Sequence, residues 1–143
     1  MRSTKGIVLL VGVGLGVLVG PQRVSAQACK DEEEMVNDYK KSLADLVGTV
    51  RKETLSDFQK AFHQKSSLTK LTLYGTVVGG LMSCLEKAEQ DATATKEQVE
   101  AYKAKHETYA KLKDKIQQDR NALKAAEAPK SAKELIAKFD LAN

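Results

Sequence analysis

The chain is predicted to be all-α, a small bundle or hairpin of three to four helices, on three observations. Residues 27–143 are dominated by Lys, Ala, Glu, Gln and Leu, the residues that lose least on entering a helix. They contain a single proline, Pro129. Their apolar residues recur at steps of three and four, the helical rather than the strand period.

Residues 1–26 read as a removable export signal. Arg2 and Lys5 give a positive start, an uncharged apolar run fills Gly6–Gly20, Pro21 breaks it, and Val24-Ser25-Ala26 offers small residues for cleavage before Gln27. The run has 15 residues, several of them glycine, whereas a spanning helix needs about 20. A lipid-bearing Cys29 is the minor alternative, because Ala26-Gln27-Ala28 lacks the aliphatic residue of an acylation motif. Residues 27–143 then form one domain of ordinary size.

The first helical segment spans about Asp31 to Gln64. Asp31, Glu32, Glu33 and Glu34 suit the positive end of the helix dipole. Val36, Tyr39, Leu43, Leu46, Val47 and Val50 make one apolar stripe, and Leu55, Phe58 and Phe62 continue it after a step of five. Gly48 and the capping-box form of Thr54-Leu55-Ser56-Asp57 mark a kink or break, leaving one helix or two.

Ser66-Ser67 is expected to turn the chain and cap the next segment, Leu68 to about Asp91. Its apolar residues surround most of a helix, which predicts the central, most buried element. Gly75 and Gly79 share one face and are the candidate helix-packing pair. Membrane insertion of this stretch is a sharper reading, but it is short for a span. A pair of strands with the glycines in turns is a further alternative.

Thr95-Lys96-Glu97-Gln98 opens the third segment as a capping box, and no breaker follows until about Ala128. Val99, Tyr102, His106, Tyr109, Leu112, Ile116 and Leu123 form a sparse stripe at nearly heptad spacing. Lys113 and Arg120 occupy positions where a heptad wants apolar residues, so the coiled-coil signal is weak. Ser131-Ala132-Lys133-Glu134 is expected to cap a last short helix over about 131–141. Its apolar face, with Leu135, Ile136 and Phe139, is expected to cover an end of the core, or alternatively to dock a partner.

Cys29 and Cys84 are the only cysteines. In an exported protein they are best read as one disulfide, an intermolecular bond or free thiols being the alternatives. An intramolecular bond constrains the path. A hairpin turning at Ser66 would leave the two cysteines roughly 25–30 Å apart along the axis, whereas a disulfide needs Cα atoms about 4.4–6.8 Å apart. Either the chain turns earlier, near residues 51–56, or residues 29–35 fold back as an arm. Periodicity alone favours a continuous first helix, so the two lines of reasoning conflict.

The charge excludes one class of partner. The full chain has 23 basic and 19 acidic residues, but Arg2, Lys5 and Arg23 belong to the signal, leaving a net charge near +1. That is too small a surplus to build a nucleic-acid surface. Metal binding is not expected from two separated histidines, His63 and His106. No phosphate loop, nucleophile elbow or Cys-x-x-Cys redox pair is present, so neither a cofactor nor an enzymatic role is expected.

The expectation is an exported, periplasmic or secreted, non-enzymatic helical protein with an interaction or structural role. Its partner is a second protein or another copy of itself, with no stable membrane span after signal removal. The alternatives are a chaperone-like binder of unfolded clients and a membrane-active protein using residues 68–85. A similar plan occurs among periplasmic helical chaperones and envelope adaptors, a likeness of architecture rather than of any motif.

Overall fold

The computed structural model describes residues 28–140. The proposed signal, its cleavage site and Leu141 lie outside them. Four helices follow in order: α1 Lys30–Lys52, α2 Asp57–Glu89, α3 Lys96–Ala125 and α4 Pro129–Ile136. The described residues are otherwise turns and short connections, so the all-α prediction holds.

α1 carries Asp31, Glu32 and Glu33 in its first turn and Arg51 and Lys52 in its last, matching the dipole at both ends. It buries Val36, Leu43, Val47 and Val50, the stripe read from the sequence. The chain then breaks over residues 53–56. The expected box at Thr54 is shifted by two residues: Gln59 N–H donates to Ser56 Oγ at 3.3 Å, and Ser56 N–H donates to Gln59 Oε1 at 2.8 Å.

α2 corrects two expectations. It runs without interruption through Ser66-Ser67, so no turn forms there; residues 31–64, left open as one helix or two, belong to two. Ser67 is fully buried on the same side as Leu71, Tyr74, Val78, Leu81 and Leu85. That ladder at steps of three and four gains more from continuous packing than two serines gain from capping. Phe58 and Phe62 do not extend the α1 stripe. They are 82% and 61% exposed, because the break resets the helical phase and places them opposite the buried ladder.

α2 is the central helix, as its apolar circumference predicts, packed against the other three. Among the described residues it is also the one helix long and apolar enough to cross a membrane by length and composition. The Thr95 capping box forms as expected, with Gln98 N–H donating to Thr95 Oγ1 at 3.2 Å. α3 buries Tyr102, Ile116 and Leu123 against α2. The side-chain amide of Gln64 donates to the carbonyls of Leu123 and Ala126, both at 3.1 Å, satisfying acceptors that the end of α3 leaves open.

α4 starts two residues before its expected cap. Pro129 holds the first helical position behind Ala128, no side chain caps the helix, and Ser131 lies inside it. The fixed φ of proline and its missing N–H suit that position. Ala132, Ile136 and Phe139 are buried, while Lys133 Nζ donates to the Glu53 carbonyl at 3.1 Å and Arg51 Nε to that of Ala137 at 2.6 Å. The short helix therefore covers the end of the bundle where α1 turns into α2.

Candidate interaction surface

Cys29 and Cys84 are joined, with Cα atoms 5.8 Å apart. The early turn at residues 53–56 makes this possible by bringing the start of α1 beside the last third of α2. Cys29 caps α1 with φ 69°, the only left-handed non-glycine among the described residues, a conformation that costs a non-glycine residue of order 1 kcal/mol. Glu32 offers a carboxylate oxygen within 4.8 Å of both sulfurs, but sulfurs bonded to one another are not thiolate ligands.

Gly75 and Gly79 face α3. A methyl added at Gly75 would meet Ile116 Cγ2 at 3.6 Å, and one at Gly79 would meet Lys113 Nζ at 3.4 Å. These are ordinary contact distances, so the helices do not approach closely enough to demand glycine. The face proposed for docking is turned inward: Ile136 and Phe139 are buried and Leu135 is half-buried against the core. Its apolar residues are already used by the chain itself.

The surface that remains open lies on α2, and sequence reasoning missed it. Opposite the buried ladder, one face carries Phe58, Phe62, Lys65, Thr69, Thr72, Leu73, Thr76, Gly80, Ser83 and Lys87. No charge stands on it between Lys65 and Lys87, a stretch of about 33 Å at 1.5 Å per residue. Its threonines do not direct their hydroxyls outward: Thr69, Thr72 and Thr76 donate to the carbonyls of Lys65, Leu68 and Thr72 at 3.2, 2.8 and 3.1 Å. With those hydroxyls satisfied within the helix, the strip presents mainly methyl and methylene groups.

The two borders of this strip differ in charge. On the α3 side, Arg120 and Lys124 line a shallow groove with Leu68, Thr69, Thr72 and Leu73, and Lys113 lies over Gly79. The heptad interruptions at Lys113 and Arg120 are thus cations along the edge of α2. On the α1 side, Ser42 accepts a hydrogen bond from Lys70. Asp38 and Asp45, four residues before and three after Ser42, share its side of α1 and are exposed. The α2 entrance has its own ion pair: Lys60, hydrogen-bonded to Asp57 at 2.8 Å, holds that carboxyl below the usual range.

The chain matches no protein-family model, no curated protein and no solved structure.

Proposed function

We propose that this chain is an exported, non-enzymatic helical protein that works by association, and that the open face of α2 receives a second copy of the chain. One observation carries the reading: an uncharged strip with a cationic border on the α3 side and, on the α1 side, a border where Asp38 and Asp45 flank the hydrogen-bonded Lys70. A two-fold axis along α2 lays strip on strip in parallel, and it sets the α3 border of each copy opposite the α1 border of the other. The heights agree. The register of α3 on α2, fixed by Gly75 against Ile116, Gly79 against Lys113 and Gln64 against Leu123, puts Lys124 at the height of Leu68 and Arg120 at that of Thr72, while the Ser42–Lys70 contact puts Asp45 near Leu68 and Asp38 near Tyr74. Opposite charges at matching heights fix register and speed encounter.

Phe58 and Phe62 would meet their counterparts at one end of the strip and supply aromatic anchors. Lys65 and Lys87 would also face their own counterparts, at small cost while both remain solvated. The disulfide accords with an oxidising, extracytoplasmic location.

Sedimentation across a concentration series tests this. The oxidised protein, cut to begin at Gln27, is expected to shift from monomer to dimer, and the double reversal R120E/K124E to weaken the shift about tenfold or more. Adding D38K/D45K to that variant is expected to restore it. A monomer at every concentration, or charge reversals without effect, would overturn the second-copy reading. A chaperone-like role is favoured only by the exposure of Phe58 and Phe62, and a monomer that suppresses aggregation of a denatured client would point there.

A further inference from the structure

The start of α1 brings three donor atoms together. Cys29 Sγ, Cys84 Sγ and a carboxylate oxygen of Glu32 all lie within 4.8 Å of one another. Cys29 is buried, while Glu32 and Cys84 are half-buried, so the group reaches solvent on one side. The acidic neighbours of Glu32 are engaged elsewhere: Glu33 pairs with Lys105 at 2.5 Å and Glu34 with Lys30 at 3.7 Å. Glu32 itself has no ion pair or hydrogen bond among the described residues, yet its carboxylate stands beside the two sulfurs. A carboxylate gains little from a closed disulfide, which has no charge and no hydrogen to donate.

Opening the bond changes the chemistry of the group. A phosphine reductant and one water convert the disulfide to two thiols and the phosphine oxide, the water supplying that oxygen and both thiol protons. Two cysteines and one carboxylate on two packed helices are a donor set for zinc, with the fourth position left to water. On a tetrahedral zinc with Zn–S of about 2.3 Å, two sulfurs stand about 3.8 Å apart. Side-chain rotation reaches that separation from Cα atoms 5.8 Å apart. Binding releases the two thiol protons to solvent. Cys29 and Glu32 sit at the amino end of α1, where the helix dipole favours the negative charge that both then carry.

We propose that, in the reduced chain, Cys29, Glu32 and Cys84 hold one zinc ion, which ties the start of α1 to α2 as the disulfide does once it has closed. A newly made chain carries thiols, and these two helices must meet before the native bond can form. Zinc holds them in the register that the bond requires.

Zinc titration of the chain cut to begin at Gln27, in competition with a chromophoric chelator, tests this. With the phosphine present the chain is expected to take one zinc per molecule, and without it none. Glu32→Gln is expected to weaken binding by the reduced chain about tenfold, and Cys84→Ala about a hundredfold or more. Glu33→Gln, next in sequence but removed from the sulfurs by its bond to Lys105, should bind zinc as the parent does. Cobalt in place of zinc should show a thiolate charge-transfer band and the visible bands of a tetrahedral ion, both diminished in Cys84→Ala. Helical circular dichroism of reduced Glu32→Gln, equal to that of the parent, separates lost binding from lost folding. No zinc on the reduced chain, equal binding by the oxidised chain, or Glu32→Gln no weaker than Glu33→Gln would overturn the assignment.

Discussion

Tyr74 brings a phenol into the core, between Leu71 and Val78 on the buried ladder of α2. Burial, followed by the neighbouring Tyr109, pushes its pKa up to about 12, and burial raises that of Tyr109 in the same direction. The unfolded chain releases the Tyr74 proton near 10, so between these values the folded protein holds the extra proton. Stability must therefore fall as pH rises through that window. Urea midpoints measured from pH 9 to 12 are expected to drop steeply above 10, and the drop should shrink in Tyr74→Phe, leaving the part due to Tyr109. A midpoint independent of pH across that range would show that neither phenol is shielded in the folded state. The sequence placed Tyr74 on an apolar helix and so in the core. It gave no sign that the hydroxyl would lack a partner, because that depends on which side chains of α1 and α3 reach it.

The elements were legible where local chemistry and packing agree. Thr95 with Gln98 marked the start of α3 because the box is made by neighbours in sequence. Ser66-Ser67 misled because the same residue types that cap a helix also fit its interior when packing demands it, and Ser67 lies flush in the core. Phe58 and Phe62 misled for a related reason: counting from Val50 assumes an unbroken helix, whereas the four residues after Lys52 change the phase. These cases make a paired prediction about caps. Ser56→Ala removes the Oγ that accepts from the Gln59 N–H, leaving only the Ser56 N–H bond to Gln59 Oε1, and is expected to cost about 1 kcal/mol. Ser66→Ala replaces a mid-helix serine with a better helix former and is expected to be neutral or stabilising by a few tenths of a kcal/mol. Urea unfolding of the two variants checks this, and the reverse order would return the helix start to Ser66. The open strip was equally hidden, since an uncharged face of Thr, Gly and Ser reads as core until its neighbours are placed.

At the level of the whole molecule the two cysteines carried the most topological information in the sequence. Periodicity alone favoured one continuous helix, while a bond between Cys29 and Cys84 required either an early turn near residues 51–56 or a folded-back arm over 29–35, and the chain takes the first course, turning at residues 53–56. The bond closes a loop of 55 residues, for which chain entropy gives about 4 kcal/mol of stabilisation. Two terms act against that figure. Cys29 is held in a left-handed conformation that costs of order 1 kcal/mol, and α1 keeps a stripe of four buried aliphatic residues that packs on α2 with or without the bond. The double variant C29A/C84A is therefore expected to fold, to retain its helical circular dichroism, and to lose about 2–4 kcal/mol in urea unfolding. In native-state hydrogen exchange the first turns of α1 should lose protection before the Leu43–Val50 segment, because the bond anchors that end. A loss below about 1 kcal/mol would mean that packing alone fixes α1. A collapse of helicity would mean that the turn at residues 53–56 depends on the bond, leaving Ser56 and Gln59 too weak to define it.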